Sequence, residues 1–138
     1  MIIQYLTRIE IGKYFHQIEQ YLTEALDYAD AEYTVDDVFA KLEGGEWGCF
    51  GFFSEGRMKG FMCCMVVPYE RKVTFRVILF SGVPVCDWAL LEPLIIDKAR
   101  ELNCHRIDFF TRDGLAKVVE SQFKCKRQYV VMTREVMP

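Results

Sequence analysis

The 138-residue chain contains no apolar run near the roughly 20 residues that a helix needs to cross a bilayer. Its first residues carry neither a basic segment nor a small-residue cleavage site, so we expect no signal peptide, no membrane association and a cytoplasmic protein. The chain has only two histidines and no C-x-x-C pair. A zinc site built from Cys104, His105 and Cys125 is a weak hypothesis, and we expect no metal.

The six cysteines also lack the pattern of a disulfide framework. Most of them stand in or beside apolar runs, where free cysteine behaves as a small hydrophobic residue. These are Cys49, Cys63, Cys64, Cys104 and Cys125. Cys63 and Cys64 are adjacent on a predicted strand and should face opposite sides of a sheet. Cys86 precedes a predicted helix, a position that favours a reactive thiolate, but no histidine stands near it in sequence. Reduced cysteines are expected.

Composition predicts one globular domain over residues 1–138. Apolar residues make up 51% of the chain and aromatic residues 14%, which is enough for a dense core. The net charge of −3 is unevenly spread, since residues 1–47 carry 3 basic and 10 acidic residues whereas residues 97–138 carry 9 basic and 6 acidic. The acidic third argues against a nucleic-acid partner. It suits an amine or a basic protein surface, or is simply a solvated helix face.

Helical periodicity dominates the N-terminal third. Apolar residues recur at helical spacing over residues 11–30, which predicts one amphipathic helix ending near Asp30. A second helix is predicted after Thr34, with Asp37 completing a capping box. The glycine pair at residues 44–45 should end it.

The next part of the chain has the pattern of strands. Residues 48–53, 59–67 and 73–80 are joined by short polar links, which predicts an antiparallel meander. Residues 1–7 can supply a further strand. Regular alternation in the strand at residues 73–80 predicts two faces. One face carries Val73, Phe75, Val77 and Leu79, and the other carries Thr74, Arg76, Ile78 and Phe80.

A long helix is predicted over residues 87–102, starting late or bending at Pro93. A strand at residues 106–110 should run parallel to the strand at 73–80, because a crossover helix joins them. A short helix at 114–122 and a final strand at 128–135 complete the order. The predicted buried face of the long helix consists of Trp88, Leu91, Ile95, Ala99 and Leu102.

This order of elements resembles the GNAT fold of N-acetyltransferases, with residues 1–7 as the first strand. At the level of topology the resemblance covers the whole chain, and it is most specific over residues 47–123. Residues 51–61 (GFFSEGRMKGF) are similar to the family's β-hairpin. Two short segments, residues 99–104 (ARELNC) and 112–115 (RDGL), resemble small GNAT-like proteins encoded by phages. The resemblance implies an α/β (α+β) domain with a mixed, mostly antiparallel sheet flanked by helices.

In active members of that family a loop of pattern Gln/Arg-x-x-Gly-x-Gly/Ala joins the fourth strand to the long helix. Its backbone N–H groups and the helix N-terminus bind the CoA pyrophosphate. The matching acetyl-CoA loop position here holds Gly82, Val83, Val85 and Asp87. Pro84 removes an N–H donor, and valines stand where glycine allows close approach. Asp87 is expected to cap the helix and to place a carboxylate near the phosphates.

Other positions that the resemblance links to activity also differ. Thr111 or Arg112 stands where the family commonly has asparagine, and Val118 stands near the position of a tyrosine that protonates the leaving thiolate. Of the family's Gly-Phe pair only the aromatic remains, as Gln122 and Phe123. The resemblance therefore implies an acyltransferase fold retained for another purpose.

Several side chains are candidates for chemistry or binding. An acyltransferase would need a base to deprotonate an amine, but spacing does not select one. Candidate bases are Asp36, Asp37 and Glu70, and candidate pocket residues are Tyr28, Tyr33 and Tyr69. Arg76 either pairs with Asp108 or binds an anion. The basic residues 124–127 form either a solvated loop or a contact for a phosphate, a nucleic-acid backbone or an acidic partner.

Two functions follow from these observations. The first is a degenerate GNAT-like protein without a cofactor, a non-enzymatic binding or structural component such as a phage virion or accessory protein. It would act through a protein partner or self-association, favoured by the charge polarity. The second is an acetyl-CoA-dependent N-acetyltransferase acting on an amine. An open pocket between the strands at 73–80 and 106–110 favours the enzyme. A space filled by Phe80, Val83, Val85 or Phe110 favours the binding protein.

Overall fold

The structure, a computed structural model, describes residues 1–27 and 32–137. Within these ranges five strands form one sheet in the order β1-β2-β3-β4-β5. The first four strands are antiparallel, and β5 runs parallel to β4. The predicted mixed, mostly antiparallel sheet is confirmed. The strands are β1 (Ile2–Tyr5), β2 (Gly48–Ser54), β3 (Arg57–Pro68), β4 (Val73–Ser81) and β5 (Arg106–Phe109).

Helices cover both faces of this sheet. On one face α1, α2 and α3 enclose a cluster that includes Ile18, Leu22 and Val38, and on the other α4 and α5 cover a second cluster that includes Leu91 and Ile95. Cys63 and Cys64 fall in different clusters, which confirms their opposite orientation. The helices are α1 (Arg8–Lys13), α2 (Phe15–Leu26), α3 (Val35–Glu43), α4 (Trp88–Glu101) and α5 (Asp113–Gln122).

The prediction of a single helix over residues 11–30 is wrong. The helix is divided at Tyr14, whose backbone (φ −104°, ψ 18°) leaves the helical region and whose ring packs edge-on against Phe53 at 5.7 Å. The first part starts earlier than predicted, at a capping box between Thr7 and Glu10. The predicted end near Asp30 lies outside the described residues.

The second predicted helix is confirmed as α3. The Asp37 backbone N–H donates to Thr34 Oγ1 at 3.1 Å, and the Thr34 N–H donates to Asp37 Oδ2 at 2.9 Å. These bonds make the predicted capping box. Gly45, with φ +77°, follows the end of the helix in a conformation that favours glycine.

The regular alternation predicted for β4 is wrong beyond Val77. Val77 and Leu79 pair with consecutive residues of β3, so Ile78 is the extra residue of a β-bulge. Phe80 therefore lies with Val77 in the cluster under α4 and α5, whereas Leu79 belongs to the cluster under α1–α3. The bulge moves one large ring from one face of the sheet to the other.

Two predictions for the C-terminal half need correction. Leu102 is exposed because α4 ends at Glu101 and Leu102 is already its C-terminal cap, while the other four predicted contact residues of α4 are buried. The prediction of a final strand at residues 128–135 is wrong. Residues 124–137 pair with no described strand and form no regular structure, and a strand needs a partner edge for its backbone hydrogen bonds. Among the described residues, no helix is both long and apolar enough to span a membrane.

Candidate functional site

The pairing of β4 with β5 ends where the bulge begins. Thr74 to Val77 pair with Arg106 to Phe109, and the last bond runs from the Phe110 N–H to the Val77 carbonyl at 3.0 Å. Residues 78–81 of β4 continue beyond that point without β5 as a partner. The two strands therefore separate immediately before the loop that leads into α4, the place where the resemblance locates acetyl-CoA.

The loop starts with a tightly packed glycine. Gly82 has φ +97°, and a Cβ atom at this position would lie 2.5 Å from the Tyr21 ring and 2.9 Å from the Cα of Gly60. Gly60 is equally confined, since its own Cβ would lie 2.4 Å from a methyl group of Val83. Gly82 thus serves close packing of the loop onto α2 and β3.

The middle of the loop is a 3-10 turn over Val85–Asp87. The Asp87 N–H donates to the Pro84 carbonyl at 2.9 Å, and the Trp88 N–H donates to the Val85 carbonyl. Proline has no N–H of its own. At the start of α4, Pro84, Asp87 and Trp88 therefore offer no unbonded amide to an anion.

Asp87 occupies the N-cap position of α4, but its side chain makes no capping hydrogen bond. The predicted cap is wrong for a conformational reason. An N-cap side chain reaches the amides of the next turn when its backbone is extended, whereas Asp87 is in the helical region at φ −101° and ψ −2°. The carboxylate nevertheless remains at the helix N-terminus.

A buried hydrogen bond closes the loop onto the core. The indole Nε1–H of Trp88 donates to the Val83 carbonyl at 2.8 Å. Val83 and Trp88 are both buried. Since both partners lie at opposite ends of the loop, this bond fixes the distance between the end of β4 and the start of α4.

An aromatic cluster (Phe80, Trp88, Phe109 and Phe123) joins the separated strand ends. The Phe123 ring lies 4.7 Å from Phe109 and 5.8 Å from Trp88, and Trp88 lies 5.4 Å from Phe80. Phe123 also contacts Phe80 at 6.4 Å, so rings from both strands meet on it. Of the four side chains predicted to fill this space, Phe80 and Val83 do so. The other two, Val85 and Phe110, are 43% and 61% exposed.

Arg76 forms the predicted ion pair with Asp108. Its Nε and one terminal nitrogen donate to the two carboxylate oxygens at 3.0 and 3.1 Å. The same terminal nitrogen donates to the Tyr69 hydroxyl at 2.9 Å, and the guanidinium lies 4.5 Å from the centre of the Phe110 ring. The hydrogen bond to Asp108 raises the pKa of Arg76. The guanidinium thus holds β4 to β5 rather than facing outward as an anion site.

The three candidate bases are dispersed. Asp37 is engaged in its capping box, and the bond from the Thr34 N–H lowers its pKa, which is the wrong direction for a base at neutral pH. Asp36 is exposed in the first turn of α3, and Glu70 is exposed in the turn that precedes β4, at the opposite end of that strand from the loop. None of the three lies beside the loop.

Two of the three candidate tyrosines, Tyr33 and Tyr69, make separate contacts. Tyr33 packs edge-on against Trp47 at 5.1 Å, and Tyr69 is held by Arg76. Tyr28 lies outside the described residues. Tyr33 and Tyr69 therefore have different partners and share no contact.

A different acid lies beside the loop. Glu24 of α2 accepts a hydrogen bond from the Ser81 hydroxyl at 3.1 Å, and Ser81 is the last residue of β4. One turn earlier, Tyr21 is half-buried against Gly82, donates to the Met58 carbonyl at 3.3 Å, and has its pKa raised by that burial. Helical spacing predicts that Tyr21 and Glu24 share a face of α2. No sequence signal links them to Ser81.

All six cysteines are free thiols. Burial raises the pKa of Cys49 and of Cys64 to about 12, whereas Cys86 is exposed at the 3-10 turn. His105 Nδ1 accepts a bond from the Val73 N–H at 3.0 Å. Across the described part of the chain, no three histidine, cysteine or acidic side chains are placed to hold a metal ion together.

No protein-family model matches this chain, and no curated protein matches it. Solved structures do. A ribosomal-protein-alanine N-acetyltransferase from Brucella melitensis biovar Abortus is 16% identical, with a TM-score of 0.67 over 99% of this chain and 100% of that one. A GNAT family acetyltransferase from Staphylococcus aureus is 11% identical, with a TM-score of 0.66 over 98% of each chain.

A transcriptional regulator from Bacillus halodurans is also similar, at 15% identity and a TM-score of 0.69 over 97% of this chain and 98% of that one. At these identities the likeness concerns the fold, and proteins of different activity share it. The order of strands, the parallel pair β4–β5 and the crossover through α4 all agree with the resemblance stated from the sequence. This chain therefore has the GNAT fold.

Proposed function

We propose that this chain is a GNAT-fold protein that has lost acetyl-CoA binding and works as a non-enzymatic binding or structural component. The observation that carries the proposal is the 3-10 turn at the start of α4. In this fold a pyrophosphate needs amides that point outward from the loop and a helix N-terminus without competing negative charge. The residues present do not fit that requirement.

Three features of the loop and the neighbouring strands support this proposal. The amides of Asp87 and Trp88 already donate within the turn, and Pro84 has none. The Asp87 carboxylate lies at the helix N-terminus without a capping bond. Rings of the aromatic cluster lie at the separated ends of the two strands, where Phe80 of β4 and Phe109 of β5 both contact Phe123.

Function then resides in protein contacts. The charge polarity of the chain, acidic in residues 1–47 and basic in residues 97–138, provides complementary surfaces for a partner or for a second copy. The resemblance of residues 99–104 and 112–115 to small phage-encoded proteins motivates a phage virion or accessory component as the setting.

Titration calorimetry with acetyl-CoA tests the proposal on the wild type, Asp87→Asn and Asp87→Gly. We expect no saturable heat from any of the three at millimolar acetyl-CoA, because the turn still uses its amides after the charge is removed. Asp97→Asn, near the C-terminal end of the same helix, is the matched control for loss of one charge. Micromolar binding by the wild type would contradict the proposal, and binding by Asp87→Asn alone would assign the block to the carboxylate.

A second candidate function, acetyl transfer from acetyl-CoA to an amine, is favoured by one specific contact. Glu24 accepts a bond from Ser81, so a carboxylate lies at the end of the β4 segment that continues beyond its pairing with β5. Such a group can accept a proton from an amine. Solved proteins named as acetyltransferases share the fold over nearly the whole chain.

Release of free thiol from acetyl-CoA with a panel of amines and basic peptides tests this second candidate. If it holds, Glu24→Gln loses most of the turnover, while Glu19→Gln on the same helix keeps it. Turnover that is absent from the wild type, or equal in the two variants, would exclude Glu24 from such a role.

A further inference from the structure

The first strand lacks the residues that usually protect a strand edge from pairing. The sheet has two outer strands, β1 and β5, and no described strand bonds to the outer edge of either. β5 carries two charged residues, Arg106 and Asp108. Residues 1–7, which contain β1, include neither a charged residue nor a proline. Because charges and prolines protect edges, β1 is the edge that is open to another strand.

The hydrogen bonds of β1 show which of its backbone groups face outward. The Leu6 N–H donates to the Cys49 carbonyl of β2 at 3.0 Å, and this bond continues the β1–β2 register. Bonding alternates along an antiparallel strand, so Gln4, like Leu6, bonds to β2. The N–H and C=O groups of Ile3 and Tyr5 therefore point to the outer edge, where they present two donors and two acceptors.

The side chains along this edge are apolar and incompletely covered. Ile3 packs against the core under α4 and α5, and the Tyr5 ring lies 5.6 Å from Phe50 of that core. Tyr5 is nevertheless 55% exposed, and Ile2 is 60% exposed. Exposed apolar side chains beside unbonded backbone groups are what a strand-adding partner covers.

We propose that β1 of one copy pairs antiparallel with β1 of a second copy, about a two-fold axis that passes between the two Gln4 residues. In this register Ile3 exchanges both of its backbone bonds with Tyr5 of the second copy, and the axis repeats the exchange. All outward groups of Ile3 and Tyr5 are then satisfied in both copies. Ile3 also lies beside the second copy's Tyr5 on one face, so the edge is complementary to itself in side chains as well.

Charge complementarity at the ends of the pair supports a second copy as the occupant. In the proposed register Met1 lies opposite Thr7 of the second copy. The second copy's Arg8 therefore comes next to the cavity that Met1 and Glu55 line together. Arg8 and Glu55 carry opposite charges, and the two-fold axis places the same combination at the other end.

This pairing rests on the proposed function, because it names one of the protein contacts through which we propose that the chain works. The two proposals are tested by different measurements, since pairing changes the mass and acetyl-CoA binding is read by calorimetry. A monomer that binds no acetyl-CoA would overturn the pairing alone. A dimer that binds acetyl-CoA would overturn the proposed function alone.

Light scattering on the full chain, over a series of micromolar concentrations, is the first test. We expect twice the 16.2 kDa mass of one chain. Ile3→Pro removes an outward N–H without taking a donor from the β1–β2 ladder, and should halve the mass. The matched control Ile3→Val keeps the N–H and should remain dimeric, while circular dichroism confirms that both variants are folded. A monomeric wild type, or a dimer that survives Ile3→Pro, would overturn the pairing.

A disulfide across the axis tests the register without removing any hydrogen bond. Opposed residues of a non-hydrogen-bonded pair have Cα atoms about 4.5 Å apart, which is within the range of a disulfide. In a Cys86→Ser background, which lacks the exposed native thiol, we expect Gln4→Cys to form a covalent product of two chains under a mild oxidant. Gln20→Cys, at an exposed position of α2, is the matched control and should stay a single chain. Equal yields from the two variants, or no product from Gln4→Cys, would contradict the proposed axis.

Discussion

The N-termini of α1 and α3 differ from that of α4 in how their amides are satisfied. At Thr7 and Thr34 an extended residue caps the helix with its hydroxyl, and the carboxylate of an acid three residues later accepts a bond from the cap's own N–H. At Asp87 the residue is helical, its side chain caps nothing, and carbonyls of the preceding turn accept the amides instead. Side chains cap the N-termini of α1 and α3, whereas backbone carbonyls of the preceding loop accept the amides at the start of α4.

This difference is the basis of our proposal that the start of α4 no longer binds an anion, although it has the position of an anion site. A helix N-terminus binds a phosphate when its amides are left unbonded by the chain itself. A side-chain cap can be displaced, whereas a 3-10 turn closed by the Trp88–Val83 bond cannot open without disturbing the core.

Among changes at the start of α4, removal of the Trp88 side chain should have the largest effect on stability. Trp88→Ala deletes two of the ring contacts, those with Phe80 and Phe123, and the bond to the Val83 carbonyl, and should lower the free energy of unfolding by about 3–5 kcal/mol. Leu90→Ala, on the exposed side of the same helix, is the control and should cost within about 0.5 kcal/mol. Urea denaturation measures both. A Trp88→Ala loss as small as that of the control would mean that the loop is not anchored by the core.

A smaller stability difference is expected between removal of the Thr34 side chain, which caps α3, and removal of the Asp87 side chain, which makes no capping bond. Thr34→Ala removes the cap of α3 and should cost about 1 kcal/mol of stability. Asp87→Ala removes no capping bond, so its effect should stay within about 0.5 kcal/mol. Denaturant midpoints compare the two variants under identical conditions. A cost for Asp87→Ala equal to that of Thr34→Ala would show that Asp87 caps α4 in solution.

The smallest expected effect is a pH dependence from the side-chain caps. Bonds from the backbone amides of Thr7 and Thr34 lower the pKa values of Glu10 and Asp37 from their ordinary 4.5 and 3.8. A lowered pKa in the folded state means that the unfolded chain binds more protons, so this stabilisation is present above those ordinary values and is lost as the pH falls through the folded pKa values.

We therefore expect Glu10→Gln/Asp37→Asn to lose less stability than the wild type when the pH falls from about 6 to about 3. Thermal unfolding followed across that range checks the expectation. Identical pH profiles for the double variant and the wild type would exclude a role of these carboxylates.

Features written in local sequence could be predicted. The Thr34 capping box is a four-residue pattern, and the strands of the meander follow from alternation and short polar links. The buried stripe of α4 follows from helical spacing, and the parallel pairing of β5 follows from the crossover helix. Local sequence patterns were therefore sufficient to predict the order of elements that the GNAT fold requires.

Features that depend on distant contacts could not be predicted. Tyr14, where the helix breaks, packs on Phe53 of β2, and the shift of Phe80 to the other face follows from a bulge in the β3–β4 register. Glu24 and Ser81 meet across 57 residues of sequence. The residues of the predicted final strand have the composition of a strand, but pairing requires an edge that composition does not specify.

A nitrogen–proton correlation spectrum of the labelled protein during titration with acetyl-CoA tests most directly whether the start of α4 binds a pyrophosphate. We expect that the amide signals of residues 82–91 do not move up to millimolar ligand. Saturable shifts of the Asp87 and Trp88 amides would contradict this expectation, because they would show that the turn opens and donates to a pyrophosphate.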